Sequence, residues 1–455
     1  MSSWFPQWQL KQASPGEVVA PDERLPWGKT LIQGAQHTVT MFGATVLAPL
    51  LMGFDPNVAI LMSGVGTLLF FLVVGGRVPS YLGSSFAFIG AVIAVTGYAG
   101  SGLNKNIGLA LGGIIACGLL YTLIGLVVHL TREVRHKVYD QGGISVSEVE
   151  TGASVHWIEK LMPPVVTGAV VAVIGLNLAP IAAKGAMGGT AFEGLMALGT
   201  VLVISLIAVF ARGMLRRLLI LAGLVIAYNV YWLLANGMGL GKPIDFARVA
   251  AAPWFGAPTF TAPVFSWNAV LLIAPVALIL VAENLGHLRA VAAITGRDMD
   301  PYVGRAFMGD GLATMLAGGV GGTGVTTYAE NIGVMAVTRI YSTLVFCVAA
   351  LFAVFLGFSP KFGALIQTIP APVLGGVSIV VFGLITAVGA RIWVQNRVDF
   401  DDNRNLIVVA VTLILGAGDF TLKIGDFALG GIGTATFGAI LMYWILGHGR
   451  EPARA

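Results

Sequence analysis

From residue 30 onward the chain is a succession of apolar runs broken by short polar joints. A helix crossing the hydrocarbon core of a bilayer needs about 20 mostly apolar residues. Runs that meet or approach this length lie at 30–51, 57–75, 107–130, 161–183, 194–211, 214–236, 268–287, 341–357, 371–390, 405–417 and 429–447. Three further stretches, 84–98, 305–319 and 329–340, are shorter, more polar or richer in glycine. Together they predict fourteen spans. Broken helices at membrane depth are tolerated only where they line a protein cavity, so the three weak stretches are expected beside one.

The basic residues test this count. Threading fourteen spans with both termini on one side leaves only Lys105, Lys184, Lys242, Arg248, Lys361 and Lys423 on the other, against 20 Lys and Arg on the first. By the positive-inside rule that places both termini in the cytoplasm. Composition agrees: 56% of residues are hydrophobic and 11% charged, whereas soluble domains carry about 25% charged residues. The expected fold is therefore an all-α polytopic membrane protein. Residues 1–29 are mixed and polar, with Pro6, Pro15, Pro21 and Pro26 and no apolar core of a cleavable signal peptide, so they read as a cytoplasmic segment. Residues 131–157 read as a polar, partly disordered cytoplasmic loop. Cys117 and Cys347 both sit inside apolar runs and read as small core residues rather than a disulfide or metal site.

Two segments recur. Pro164 to Leu176 aligns with Pro372 to Leu384, with glycines at matching offsets (Gly168 and Gly376, Gly175 and Gly383). Ser84-Ser85-Phe86-Ala87 matches Thr326-Thr327-Tyr328-Ala329, each beside glycines. Both pairs are seven spans apart. Seven is odd, so the copies run in opposite directions, giving two inverted seven-span repeats. The second pair predicts a short extended segment leading into a half-helix in spans three and ten. Paired broken helices in inverted repeats point to a transporter site near the midplane.

Charge inside the membrane costs about 2.5–3.5 kcal/mol on insertion scales and marks function by default. Glu283, Glu330 and Asp310 are the acids in this position. Glu283 and His287 lie four apart, on one helical face. They suit either a proton relay or a satisfied structural pair. Glu330 falls where the second broken segment turns helical, so it serves either a ligand or the helix start. His37 and Asp310 read equally as satisfied core groups or as partners of the site. Two acids, two helix openings with free N–H groups and the rings of Phe86 and Tyr328 together suit a flat heterocycle with ring N–H donors and carbonyl acceptors, such as a uracil-like base. An inorganic anion would prefer helix N-termini without an acid. Two like charges in one low-dielectric site repel, so a proton is expected to accompany the ligand. An intramembrane enzyme would need a nucleophile or metal set beside Glu283 and His287, and the sequence offers neither.

At these residues the chain resembles the nucleobase–ascorbate transporter family. Glu330-Asn-Ile-Gly-Val-Met-Ala-Val-Thr338-Arg339 fits that family's signature, joined by Glu283-x-x-x-His287, Leu82-Gly-Ser-Ser-Phe86-Ala and Gln36-His37. The resemblance runs from about Thr30 to Gly447. It is nearest the uracil-permease branch, with Val19–Pro26 and Arg391–Asp399 similar to segments of a pyrimidine-permease subgroup. It implies a substrate-binding core domain of spans 1–4 (30–130) and 8–11 (268–368). It implies a gate domain of spans 5–7 (158–240) and 12–14 (369–447), and a loop 131–157 longer than in near relatives. It implies a proton symporter in a bacterial inner membrane, often a homodimer, with no cofactor, metal or nucleic-acid partner. By matching motif, Glu283 and Glu330 take the N–H groups of the base. The backbone N–H groups of Phe86 and Glu330 meet its carbonyls, while Ala329, Ala44 and Tyr328 line it. His287, Glu283, His37 and Asp310 form the proton-coupling network. An acid rather than Gln at 330 resembles the uracil branch more than the xanthine and urate branch. The alternatives carried by the same fold are a purine (xanthine) or an organic-anion transporter.

Overall fold

The computed structural model describes residues 5–14, 16–98, 102–131, 133–141, 144–152, 160–424 and 427–447, without side chains in 132–159, at 214 and 217, and in 424–428. Its longer helices are α1 (Trp27–Met52), α2 (Pro56–Val73), α3 (Ile89–Thr96), α4 (Ile107–Leu130), α5 (Pro164–Met187), α6 (Ala191–Phe210), α7 (Leu219–Trp232), α8 (Val276–Thr295), α9 (Val303–Val320), α10 (Ala329–Thr338), α11 (Thr343–Gly357), α12 (Ala371–Gln395), α13 (Asn403–Ala417) and α14 (Gly431–Ile445). Among the described residues seven helical stretches are long and apolar enough to cross a membrane. The number is eight if Thr343–Gly357 and Pro360–Ile366, bent by 86°, count as one span. Helix starts follow local chemistry. Proline opens α2, α5 and α12, where a missing N–H costs nothing. Asp55 and Asp402 accept backbone N–H bonds ahead of α2 and α13. Leu119, Leu123 and Leu126 of α4 and Leu195, Leu198 and Leu202 of α6 point outward and exposed. A water-facing surface rarely carries so much contiguous apolar area, whereas a lipid-facing one does. The molecule is a mostly helical, multi-pass membrane protein.

Two expectations need adjustment. The span expected over 268–287 starts as Trp267–Ile273, breaks at Ala274-Pro275 and resumes as α8 through Thr295. Glu283 therefore lies in the N-terminal half of α8, not near a helix end. Arg289 does not stop the helix because Leu288 and Val291 continue its buried face, and the turn comes only at left-handed Gly296. In the 131–157 loop, Glu133–Gln141 pairs with Ile144–Gly152 as an antiparallel hairpin. Val134, Val138, Ile144, Val146, Val149 and Thr151 supply strand-favouring β-branched residues, a signal masked in the sequence by the density of charge.

The helices pack in two groups. In one, α4 lies along α9, α2 along α11, and α1 against α11, with α3, α8 and α10 in the same group. In the other, α5 lies along α12, with α6, α7, α13 and α14 around them. The contacts repeat at an offset of seven helices: α4 on α9 matches α11 on α2, and α5 on α13 matches α12 on α6. The α5–α12 contact is close because glycines permit it. A Cβ at Gly168 would strike the Trp393 indole, and one at Gly175 would strike the Phe382 carbonyl. Gly175→Val is expected to destabilise this pair by about 1–3 kcal/mol through overpacking. A thermal melt in detergent reads it, and an unchanged midpoint would contradict the packing described.

The N-terminal segment is tied to the first group. Val19 is bracketed by the chain after α10, its N–H donating to Arg339 O (2.9 Å) and its carbonyl accepting from Tyr341 N (2.8 Å). Trp8 Nε1 donates to Thr343 Oγ1 (3.0 Å), and Asp22 pairs with Arg297.

Candidate substrate site

Strands β1 (Leu82–Ser84) and β2 (Val325–Thr327) form a two-stranded antiparallel ribbon in the buried interior, with Leu82 opposite Thr327, Gly83 opposite Thr326 and Ser84 opposite Val325. Bonds from Tyr328 N to Tyr81 O (2.9 Å) and from Ser85 N to Gly324 O (3.0 Å) bracket it. In an antiparallel pair, hydrogen-bonded and non-bonded residues alternate. The backbone groups of Leu82, Ser84, Val325 and Thr327 therefore point away from the ribbon. Such edges have no water to satisfy them in a membrane, and flanking side chains do so instead. Leu82 N donates to Thr67 Oγ1 of α2 (2.9 Å). Val325 N donates to Thr314 Oγ1 of α9 (3.1 Å), whose hydroxyl donates back to Val325 O (3.1 Å). Tyr328 Oη donates to Ser84 O (3.0 Å). That uses the one proton of Tyr328, so its 3.0 Å contact with Thr45 Oγ1 is donated by Thr45. Gly83 is required here, because a Cβ would overlap the Tyr328 ring.

Each strand leads into a helix. After β1, Ser85 Oγ accepts from Ala87 N (3.2 Å) and opens the short turn Phe86–Phe88 before α3. After β2, α10 starts with no side-chain cap, so its first N–H groups are open to a ligand. Glu330 lies in that first turn. Ala329 and Glu330 are exposed and Glu283 half-buried, yet the two carboxyls are near enough for their charges to interact. Among the described residues neither has a side-chain hydrogen-bond partner.

The remaining predicted residues are held by the protein. Asp310 is fully buried, and its Oδ2 accepts from Asn284 Nδ2 (2.7 Å). The same amide donates to Tyr121 Oη (2.9 Å), and Tyr121 donates to Leu280 O (3.2 Å). His287 Nδ1 lies 2.8 Å from Thr327 Oγ1. His37 is fully buried, and Asn331 Nδ2 donates both to its Nδ1 (3.0 Å) and to its backbone carbonyl (3.1 Å). Nδ1 is thus an acceptor, and the proton of neutral His37 sits on Nε2.

A cavity of about 40 Å³ joins Ala44, Phe86 and Glu330 from one helix group to Leu221 and Val381 from the other. Phe86 meets Phe382 of α12 edge-on at 6.5 Å. A separate cleft of about 580 Å³ reaches from the exposed Lys184, Asp419 and Lys423 to Ala87 and Ile279. Ile279 is one helical turn from Glu283. Ala44, Phe86 and Glu330 thus share a cavity; Glu283, His287 and Ala329 line neither space, though Glu283 is within electrostatic reach of Glu330. Tyr328 is buried, its hydroxyl spent on the ribbon, and Asp310 and His37 lie off both spaces.

The sequence pattern assigns no individual role to Thr67, Tyr121, Asn284, Thr314, Thr327 or Asn331, although Thr327 and Asn331 fall inside the recurring motifs. One signal was available. Ala282-Glu283-Asn284-Leu285-Gly286 and Ala329-Glu330-Asn331-Ile332-Gly333 are copies of one motif. In both, the acid is less buried than the Asn, which lies about 100° further round the helix and is fully buried and hydrogen-bonded inward.

The profile of the Permease family matches residues 28–138 and 149–425. The chain is 65% identical over 443 residues to "Putative pyrimidine permease RutG" of Escherichia coli (strain K12), covering 97% of this chain and 95% of that one. It is 39% identical over 440 residues to "Uracil permease" of Bacillus caldolyticus, covering 94% of each. The chain belongs to the nucleobase–ascorbate transporter family, in its uracil-permease branch. Between the two matched segments, residues 139–148 fall outside the family profile, within the Glu133–Gly152 hairpin. The murine Solute Carrier 26 family member A9 anion transporter, in an inward-facing structure, has a similar fold. Its TM-score is 0.62 at 14% identity, over 98% of this chain and 70% of that one. The transmembrane domain of the cyanobacterial bicarbonate transporter BicA is also similar, with a TM-score of 0.56 at 16% identity, over 86% and 96%.

Proposed function

We propose that this permease imports uracil or a related pyrimidine base together with protons, by alternating access. The observation that carries this reading is that Glu283 and Glu330 lie within electrostatic reach of each other, neither carboxyl hydrogen-bonded to another side chain among the described residues, beside the uncapped first turn of α10. Two acceptors and a row of N–H donors are the complement of a ring with two N–H groups and two carbonyls. The uracil and pyrimidine permeases among its relatives support the same choice. Fourteen spans in two inverted repeats suit the seven-helix offset of the packing and the antiparallel ribbon. In this reading the group around α4 and α9 is the core domain and the group around α5 and α12 is the gate. The termini face the cytoplasm, and the protein resides in the inner membrane. A 40 Å³ space holds about one water, so core and gate must part by a further step to admit a base. The 580 Å³ cleft on the Lys184 side is the route.

Competition on purified protein among uracil, thymine, xanthine and uric acid tests the reading. Uracil is expected to bind most tightly. A preference for either purine, or thermal stabilisation by sulfate or a dicarboxylate and not by uracil, would replace the pyrimidine assignment.

A further inference from the structure

We propose that Thr327 is the positioning residue through which His287 and Asp310 act on the half-helix bearing Glu330, an inference that rests on the proton-coupled reading above. Thr327 is held on two sides. Its hydroxyl lies 2.8 Å from His287 Nδ1 on α8. Its N–H belongs to the non-bonded pair with Leu82 and so points out of the ribbon, toward α9. There the Asp310 carboxyl lies near enough for this N–H to act on it, while Asp310 Oδ1 closes no full hydrogen bond with the described residues.

The spacing accounts for this arrangement. Two residues along a strand advance about 6.8 Å, and four along a helix about 6 Å. One face of α9 therefore bonds Val325 through Thr314 and brings Asp310, about one turn earlier, to the side of β2 on which the Thr327 N–H projects.

The hydroxyl supplies what the coupling needs. Neutral His287 with a bare Nδ1 accepts the Thr327 proton. Protonated His287 donates to Thr327 Oγ1, and the hydroxyl proton must turn elsewhere, because a hydroxyl can donate or accept but an imidazolium only donates. A proton arriving on α8 thus reorients a bond on β2. Three residues on is Glu330, and the link between them is stiff, since Tyr328 is pinned at N by Tyr81 O and at Oη by Ser84 O. The titratable groups around Thr327 are Glu283 and His287 of α8, Asp310 of α9, Tyr121 and Cys117 of α4, Tyr328 between β2 and α10, Glu330 of α10, and Tyr81 ahead of β1.

Thr327→Val keeps the β-branch and the N–H and removes the hydroxyl; Thr327→Ser keeps the hydroxyl. With full-length protein in proteoliposomes, Thr327→Val is expected to bind uracil and exchange it across the bilayer without a gradient as the wild type does. Accumulation driven by an inward proton gradient is expected to fall by about tenfold or more, and the pH profile of binding to flatten. Thr327→Ser is expected to restore both. Accumulation by Thr327→Val at the wild-type level overturns the proposal. So does a serine variant as impaired as the valine one, which would make the role packing. So does loss of uracil binding by Thr327→Val, which would make Thr327 a ligand. If the valine variant fails to fold, Thr327→Ala is read in the same way. Wild-type protein that binds uracil but gathers none with a proton gradient overturns the coupled reading and this proposal together, and is told apart by the wild-type arm alone.

Discussion

Purified Glu330→Ala protein is expected to lose uracil affinity by about one to two orders of magnitude while melting close to the wild-type temperature. The two halves of that result have separate causes. A hydrogen bond to a charged group contributes about 1.5–3 kcal/mol, and each 1.4 kcal/mol is a factor of about ten in Kd. Glu330 faces the gap between the helix groups, beside Ala44 and Phe86, and no protein side chain depends on it. Removing it therefore strands no buried partner. What the fold does lose is an acid in the first turn of α10, about 0.3–1 kcal/mol of helix-dipole stabilisation. Binding should suffer more than stability. Isothermal titration with uracil and a thermal melt on the same preparation separate them. Wild-type affinity would remove Glu330 from the site, and a collapsed melt with weak binding would recast it as a structural acid. Glu330→Gln keeps a carbonyl acceptor and is expected to fall between the two.

The reason one residue could be singled out this early is that cost is visible in sequence. An acid in an apolar run has to be explained, and Glu283, Glu330 and Asp310 stood out on that ground alone. The spans were visible for a related reason, since about 20 apolar residues leave few alternatives. What was not visible depends on pairing across long separations. That Leu82 meets Thr327, or that Tyr121 meets Asn284 and Asp310, is not encoded in any local period. The threonines at 67, 314 and 327 look like ordinary helix or strand residues until the ribbon edges they serve are known. The same holds for the N-terminal segment. Its prolines and charges read as a plain cytoplasmic tail, yet Val19 is pinned between Arg339 and Tyr341. Tyr328 shows the converse. Expected as a residue that lines the ligand, it has a second task that no local pattern shows, closing the ribbon over Gly83.

Glu283→Gln should separate binding from coupling. Glutamine keeps a carbonyl oxygen for a ring N–H of the base but cannot take up and release a proton near neutral pH. Glu283 sits where such a proton would be used. It is half-buried on α8, within electrostatic reach of Glu330 and Asp310, with His287 one turn further along. Wild-type uptake is expected to rise as the external pH falls, because protonated carrier is then favoured on the outside. In Glu283→Gln that dependence should flatten, and gradient-driven accumulation should fall by about tenfold or more, toward simple equilibration. Exchange of labelled for unlabelled uracil, which needs no net proton movement, should persist. Affinity should fall less than in Glu330→Ala, and the like-charge repulsion between the two sites disappears with the Glu283 carboxylate, which offsets part of the loss. Accumulation at the wild-type level in proteoliposomes would take the proton away from Glu283. Loss of exchange along with accumulation would place Glu283 in binding as firmly as Glu330. The two carboxyls, within electrostatic reach of each other, sit on unlike mounts, a continuous helix and the first turn of a broken one, so equal effects of their substitutions would mean that the difference in mounting has no functional consequence.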